Sequence, residues 1–238
     1  MRKWILGLSL IGSIAFAENI CGNIKEVLEK HAPLKGLPYK VVSTRSIEGL
    51  CEVVIEIKDQ LIPLYTNGKL LISGEAWINK KPITQSFLNK LRKEIYQTQL
   101  RKLDNYTVAV YNPKGQKVVY FVADPECPYS NWVKEKVKRL ADSENATVKL
   151  VFLPLPFHKG SAKKVEAFIC GRKNFKDYLE GNYGNATCQK GKQYVKNIFK
   201  DLPFLKATPT FLIPKKDNFE VVVGTNLERL KQDLENPN

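Results

Sequence analysis

The chain has 238 residues, of which 43% are hydrophobic and 26% are charged. With 14 Gly and 13 Pro it has an ordinary globular composition, which excludes collagen-like, coiled-coil and disordered proteins. Its 38 Lys and Arg exceed its 24 Asp and Glu, for a formal charge of +14. Such a charge occurs in proteins that bind nucleic acid or anionic lipid, and in proteins with a basic solvated surface.

Residues 1–17 have the features of a secretory signal peptide. Arg2 and Lys3 form a charged start, an apolar run follows, and residues 15–17 supply a small-x-small cleavage pattern. The apolar run is too short to span a bilayer of about 30 Å as a helix. The sequence therefore predicts export into an oxidising compartment where disulfides persist. Export argues against nucleic acid as a partner, so we interpret the charge as a lysine-rich solvated surface.

Residues 18–83 are predicted to form a first unit, a helix followed by a small antiparallel sheet. Apolar residues at helical spacing predict the helix over 20–31. Asn67-Gly68 is a hairpin signal, and period-two alternation is typical of a half-buried strand. Strands are expected over 39–44, 50–59, 60–67 and 69–78. A unit this small buries little surface alone, so we expect it to pair with a second copy.

Residues 84–105 are predicted to form a connecting amphipathic helix. Its apolar side chains fall on one broad face: Phe87, Leu88, Leu91, Ile95 and Leu100.

Residues 106–238 are predicted to form a second unit in which strands and helices alternate. Strands are expected over 107–111, 117–123, 148–155, 208–213 and 219–224. Helices are expected over about 127–141, 161–171, 190–200 and 226–235, with a loop around Gly181 and Gly184. This order favours a mixed sheet covered by helices, so the whole chain is assigned to the α+β or α/β class.

The candidate chemistry lies at Cys127, in the motif Asp-Pro-Glu-Cys-Pro-Tyr-Ser over 124–130. A strand ends before this motif and a helix begins at the cysteine. Backbone N–H groups and the dipole at a helix start stabilise a thiolate, which is the nucleophile of disulfide exchange. Pro128 suits the first helical position, where no N–H is needed. An inert buried cysteine would explain neither Pro128 nor the polar flanks.

Thr208-Pro209 opens a later predicted strand. Alone, Pro209 need do no more than begin an edge strand. Combined with the Cys127 motif, it resembles the thioredoxin fold, in which a cis-proline loop faces the reactive cysteine. The full arrangement of exported N-terminal domain, linker helix and thioredoxin-like domain resembles the DsbC/DsbG-type periplasmic thiol:disulfide isomerases.

Four stretches carry this resemblance: 65–78, 120–137, 163–188 and 207–213. It implies a cystatin-like dimerisation domain over 18–83, a linker helix over 84–105, and a thioredoxin-like catalytic domain with a helical insertion over 106–238. It also implies a periplasmic homodimer that acts on unfolded or misoxidised exported proteins, with a membrane thiol reductant as a further partner and no cofactor. The implied substrate-binding residues are Pro128, Tyr129, Thr208 and Pro209, and Trp132 beside them is either rim or core.

Ser130 is the main departure from the family, which has cysteine at this position. An engineered Cys→Ser change would give the same sequence. A Cys-x-x-Ser site cannot form its own disulfide, but Cys127 can attack a substrate disulfide and another thiol can resolve the intermediate. Cys127 and Ser130, as a hydrogen-bond donor to the thiolate, are therefore the predicted catalytic residues of an isomerase or reductase. The alternative is a redox-inactive chaperone that retains the same peptide-binding cleft.

The four remaining cysteines allow three pairings. The division into domains favours Cys21–Cys51 and Cys170–Cys188, and the family resemblance implies the second pair. With only two histidines, His31 and His158, no metal site is predicted. A hydrolase dyad of Cys127 and His158 would leave the Cys-Pro-Tyr turn and the Thr-Pro strand without a role.

Overall fold

The computed structural model describes residues 21–34, 36–58 and 60–236. The predicted signal peptide lies outside these residues. The chain divides into two compact units, Met1–Asn89 and Lys90–Asn238. None of the helices in the described ranges is both long and apolar enough to cross a membrane.

The N-terminal unit is a helix followed by antiparallel strands. In chain order its elements are α1 (Ile24–His31), β1 (Lys40–Ile47), β2 (Leu50–Ile57), β3 (Gln60–Thr66), β4 (Leu71–Ser73), β5 (Trp77–Ile78) and β6 (Lys81–Pro82), followed by α2 (Thr84–Asn105). Strands β1 to β4 form one sheet in sequential order, and β5 and β6 form a separate hairpin. The boundary between the two units falls inside α2.

The single strand predicted over 69–78 is wrong, because two short strands, β4 and β5, occupy this segment. Gly74 lies between them with φ at 155°, a conformation that favours glycine and interrupts the extended chain. The hairpin at Asn67-Gly68 is confirmed: β3 and β4 pair antiparallel across it, and Gly68 has a φ of 87°.

Strand β2 is buried on both faces rather than one. Cys51 to Ile55 are all buried, and one face packs with Ile24 and Leu28 of α1 in a small core. On the other face, the fully buried Glu52 forms an ion pair with Arg45. Alternation of apolar and polar residues along a strand indicates that one face is buried. It does not reveal that polar contacts also bury the other face.

Tyr65 connects this buried carboxylate to the start of α2. Its hydroxyl donates to Glu52 Oε1 at 2.6 Å and lies 2.5 Å from Thr84 Oγ1. Thr84 Oγ1 also accepts the backbone N–H of Ala76 at 2.7 Å. Burial and then the hydrogen bond to Glu52 raise the pKa of Tyr65 to about 12, so the folded chain favours the protonated phenol.

Replacing Tyr65 with Phe tests this polar cluster. We expect the free energy of unfolding to fall by about 1–2 kcal/mol at pH 8, because Glu52 loses a buried hydrogen bond. Since the tyrosine titrates near 10 when unfolded and about 12 when folded, the parent should lose stability as pH rises through this window. Urea unfolding at pH 8 and pH 11 measures both effects. An equal alkaline loss in parent and variant would contradict the assignment to Tyr65.

The C-terminal unit has the mixed sheet and the helical insertion that were expected of a thioredoxin-like domain. Beyond α2 its elements are β7 (Thr107–Tyr111), β8 (Lys117–Ala123), α3 (Pro128–Ser143), β9 (Ala146–Phe152), α4 (Ser161–Cys170), α5 (Phe175–Leu179), α6 (Gln189–Asp201), β10 (Thr210–Pro214), β11 (Phe219–Val223) and α7 (Leu227–Glu235). The five-stranded sheet has the order β11-β10-β8-β9-β7. Strands β8 and β9 are parallel, with α3 as their crossover, and the other neighbours are antiparallel.

Helix α5 was not predicted, because the sequence indicated only a loop between α4 and α6. With five residues it is too short for a periodic signal. Its start is marked by a capping box in which Asn174 accepts from the Asp177 N–H and Asp177 accepts from the Asn174 N–H. This box was the available sequence signal.

The core of the C-terminal unit is aromatic beneath the end of β8. Phe121 stacks on Phe211 of β10 with ring centroids 5.1 Å apart. Tyr178 of α5 packs against Phe121 and Phe152 with centroids 6.0 and 5.5 Å away. The insertion is closed by the Cys170–Cys188 disulfide, and Cys21–Cys51 links the N-terminal end of the described chain to β2.

Candidate active site

Cys127 lies at the N terminus of α3, where strand β8 turns into the helix. Val119 to Ala123 are buried, which fixes the end of the strand in the core. The chain then turns, with the Cys127 N–H donating to the Asp124 carbonyl at 3.0 Å. Cys127 is the N-cap of the 16-residue helix and Pro128 follows at its first position. The local sequence thus places the thiol at the positive end of the helix dipole.

The Cys127 thiol faces the loop that precedes β10. Its Sγ donates to the Thr208 carbonyl oxygen at 3.4 Å, and the Thr208–Pro209 peptide bond is cis. Thr210 pairs with Val122, so β10 lies beside β8. This pairing brings the loop before β10 close to the turn that carries Cys127. Cys127 is buried, and it is the free cysteine of the described chain.

Ser130 lies one helical turn after Cys127 and is fully buried. Its Oγ accepts the backbone N–H of Asp124 at 3.4 Å. The observed partner is thus the Asp124 backbone rather than the cysteine sulfur that the sequence suggested. Ser130 thus links α3 to the turn before Cys127. It occupies the position at which a Cys-x-x-Cys site has its second cysteine.

Asp124 is the principal site residue that sequence reasoning missed. Its side chain is fully buried and makes three hydrogen bonds, each at 2.8 Å. The Glu126 N–H donates to Oδ1, while the Leu155 N–H and His158 Nδ1 contact Oδ2. The carboxylate therefore joins the turn before Cys127 to the loop after β9. This polar residue was visible in the sequence, but Leu155 and His158 lie 31 and 34 residues further along the chain.

His158 contacts Asp124 and not the cysteine. Among the described residues, the Cys127 thiol makes its hydrogen bond to the Thr208 carbonyl, and the His158 imidazole makes its hydrogen bond to the Asp124 carboxylate. The Cys127–His158 pairing of a hydrolase dyad is therefore absent from the hydrogen bonds of the described site. Within the described residues no group of three or more potential ligands for a metal ion is found.

The charges near Cys127 are held in specific pairs. Glu126, which directly precedes Cys127 in the chain, forms an ion pair with Lys164 at 2.6 Å. Lys134 donates to the Tyr178 carbonyl at 3.1 Å, and burial lowers the pKa of its ammonium. Glu126 and Lys134 are thus each engaged by a group other than the Cys127 thiol.

Two buried tyrosines of the insertion, Tyr178 and Tyr183, lie near the site. The hydroxyls of Tyr178 and Tyr183 and Oγ1 of Thr208 are buried with no hydrogen-bond partner among the described residues. Burial raises the pKa of Tyr178 well above its usual value, and charges at Tyr183, Cys127 and Asp124 add to this effect. Burial, followed by Glu126 and Asp124, raises the pKa of Tyr183 to about 12. Both rings therefore remain neutral near Cys127.

Three aromatic rings are exposed on α3 and on the loop after β9, the two segments that carry Cys127 and His158. Tyr129 and Trp132 of α3 are 65% and 56% exposed, and Phe157 of the loop after β9 is 72% exposed. The Phe157 ring packs edge-on against His158 with centroids 4.5 Å apart. Among the predicted substrate-binding residues, Pro128 and Tyr129 are exposed, Thr208 is half-buried and Pro209 is buried. Trp132 is thus surface rim and not core.

The chain was compared with family models, curated proteins and solved structures. No family model matches the chain. The chain is 24% identical over 168 residues to the thiol:disulfide interchange protein DsbG of Pseudomonas aeruginosa, covering 66% of this chain and 62% of that protein. The match thus spans less than two thirds of the relative's length.

Several solved structures are also similar. Helicobacter pylori DsbG has a TM-score of 0.39 at 19% identity, covering 81% of this chain and 99% of that chain. A linker-deletion variant of Proteus mirabilis ScsC has a TM-score of 0.45 at 15% identity, covering 63% and 85%. A disulfide interchange protein of Neisseria gonorrhoeae has a TM-score of 0.42 at 18% identity, covering 56% and 97%.

Proposed function

We propose that the protein is a periplasmic thiol:disulfide interchange protein that isomerises or reduces non-native disulfides in exported proteins, with Cys127 as its single nucleophile. The observation that carries this proposal is the free Cys127 thiol at the N terminus of α3, 3.4 Å from the Thr208 carbonyl beside a cis-proline. The charged start and apolar run of 1–17 support export. The two disulfides support an oxidising compartment.

The reaction begins when the Cys127 thiolate attacks one sulfur of a substrate disulfide. A new S–S bond joins Cys127 to the substrate, the substrate S–S bond breaks, and the departing sulfur leaves as a thiolate that takes up a proton. The helix dipole and the first N–H groups of α3 stabilise the negative charge on Cys127 before attack and after release. No cofactor is needed for this exchange.

Ser130 determines how the mixed disulfide is resolved. Its hydroxyl cannot form a disulfide, so the intermediate must be attacked by a thiol from outside the active-site turn. If that thiol is a second substrate cysteine, a different substrate disulfide forms, Cys127 is released, and no net oxidation occurs. If external monothiols resolve it, two equivalents are oxidised to their disulfide and the substrate disulfide is reduced. A membrane thiol reductant is a further proposed source of such electrons.

The substrate class proposed is an unfolded or misoxidised polypeptide. The proposed binding residues are Pro128, Tyr129, Thr208 and Pro209. Tyr129 and Trp132 of α3 and Phe157 of the loop after β9 expose large apolar rings, and exposed apolar surface is typical of sites that bind polypeptide. The same rings favour a second candidate function, a redox-inactive peptide-binding chaperone, because they bind polypeptide whether or not exchange occurs.

Reactivation of a scrambled, disulfide-rich substrate protein separates these two functions. In the presence of a small monothiol, we expect the parent protein to restore substrate activity and Cys127→Ala to give only the uncatalysed rate. Suppression of aggregation of an unfolded, cysteine-free protein should be equal in both. If parent and Cys127→Ala reactivate the scrambled substrate equally, the exchange function is excluded and the chaperone function remains.

We further propose that residues 18–83 form a homodimer interface, since the N-terminal unit has a small core and exposed apolar side chains. Leu70, Ile72 and Trp77 are 44%, 50% and 61% exposed, and β1 and β4 are the edges of their sheet. We expect sedimentation at micromolar concentration to give twice the mass of the chain. Replacing Ile72 and Trp77 with Ser should shift the mass to that of a monomer. A monomeric parent would exclude the dimer.

A further inference from the structure

The loop after β9 contributes one imidazole to the turn that carries Cys127. His158 Nδ1 lies 2.8 Å from Asp124 Oδ2, and the loop backbone is closed by bonds from the His158 N–H to Leu155 and from the Ser161 N–H to His158. We propose that His158 is a positioning residue for Cys127: it donates Nδ1–H to Asp124 and thereby holds the carboxylate that fixes the active-site turn. This inference rests on the exchange function proposed above.

The direction of the hydrogen bond follows from the other partners of Asp124. Its carboxylate already accepts the backbone N–H groups of Glu126 and Leu155. An Asp124 oxygen acts as the acceptor in this contact as in the other two, so Nδ1 is the protonated ring nitrogen. His158 is also the one side chain that donates to Asp124 among the described hydrogen bonds. Its remaining nitrogen, Nε2, lies on a side chain that is 20% exposed.

Asp124 transmits this contact to the reacting turn through its backbone. Its carbonyl accepts the Cys127 N–H at 3.0 Å, and its own N–H donates to Ser130 Oγ at 3.4 Å. The residue held by His158 therefore contacts both ends of the Cys-x-x-Ser motif. A shift of the Asp124 carboxylate would move the sulfur relative to Thr208.

The second effect is electrostatic. Asp124 is fully buried, and both it and Cys127 act on the hydroxyl of Tyr178, so the two groups share one low-dielectric region. Two negative charges in such a region disfavour each other. Lys164 is engaged by Glu126, and Lys134 by the Tyr178 carbonyl. The hydrogen bond from His158 is thus the described side-chain contact that stabilises the Asp124 carboxylate when Cys127 becomes a thiolate.

Two amide variants, His158→Asn and His158→Gln, distinguish a role of His158 in positioning the active-site turn from a role in filling space in the fold. Asn at position 158 can place its side-chain NH₂ near the Nδ1 position and donate to Asp124, whereas the longer Gln side chain carries its NH₂ nearer the Nε2 position. His158→Leu removes the donor altogether. Lys159→Gln is the matched control, because Lys159 is an exposed neighbour on the same loop.

The readouts are the rate constant for alkylation of Cys127 by iodoacetamide at pH 7 and the rate of scrambled-substrate reactivation. We expect His158→Leu and His158→Gln to be slower than the parent by about 10-fold in both assays, the size of effect given by one lost hydrogen bond to a charged group. His158→Asn should remain within about threefold of the parent, and Lys159→Gln should equal it. Circular dichroism establishes that each variant is folded.

Parent-like alkylation in His158→Leu would overturn the inference, as would equal rates in His158→Asn and His158→Gln. The Asn and Gln pair alone decides the question if His158→Leu does not fold. Failure of the proposed function has a different signature, because the parent would then show no Cys127-dependent reactivation, while the alkylation comparison would still report on His158.

Discussion

Replacement of Ser130 by cysteine is expected to convert the site from a monothiol to a dithiol. Position 130 is fully buried one turn after Cys127, and residues three apart at a helix start lie on the same face, about 5–6 Å apart. In Ser130→Cys, a mild oxidant should therefore form a disulfide between Cys127 and the introduced thiol, seen as the loss of two free thiols. The parent should lose none by this route.

The same substitution should shorten the lifetime of a mixed disulfide on Cys127. In the parent an external thiol must collide with the intermediate, whereas the introduced thiol attacks within the turn. Well-oriented intramolecular reactions have effective molarities of about 10⁵ M or more, so we expect the lifetime to fall by about 100-fold or more at millimolar external thiol. Ser143→Cys is the matched control, since Ser143 is exposed at the far end of α3. If Ser130→Cys forms no internal disulfide, the assigned active-site turn is wrong.

Substitution of Asp124 with Asn is expected to be strongly destabilising. The carboxylate accepts three hydrogen bonds in a fully buried position. An amide of the same shape has one oxygen to accept with, and its NH₂ group must face a donor, which leaves at least one buried N–H unpaired. Each such loss costs about 1–3 kcal/mol, so we expect a total of about 2–4 kcal/mol.

Urea unfolding at pH 7 measures this loss. Asp142→Asn is the control, because Asp142 bonds Lys138 and Tyr111 at the surface, where an ion pair contributes about 1 kcal/mol or less. If Asp124→Asn is no less stable than Asp142→Asn, the three hydrogen bonds do not hold the turn as described.

Much of the fold could be predicted from the sequence, because its elements are long and periodic. The buried strand β8 was predicted with both ends correct, and α3 and β11 within two residues. Strands and helices bury every second residue or every third to fourth residue, and the order of apolar and polar residues in the sequence shows this spacing directly. The five-residue α5 and the break at Gly74 fell below the length that such patterns can resolve.

The candidate site was only partly predictable. Cys127 and Pro128 are recognisable locally, because a cysteine followed by proline marks a helix start. The approach of Thr208 to Cys127 was predicted through resemblance to the thioredoxin fold. The contacts of Asp124 with His158 and of Glu126 with Lys164 join segments about 30–40 residues apart. They depend on the path of the loop after β9, which no local pattern encodes.

The most direct test of a single-nucleophile site is the fate of its mixed disulfide. The protein is mixed with a scrambled, disulfide-containing substrate, and intact-mass spectrometry follows the covalent adduct while the concentration of an external monothiol is varied. We expect one substrate molecule per chain, attached at Cys127, with a decay rate that rises in proportion to the monothiol and extrapolates to the rate of substrate-thiol resolution alone. Cys127→Ala should give no adduct. Absence of an adduct in the parent, or its attachment at another cysteine, would contradict the account.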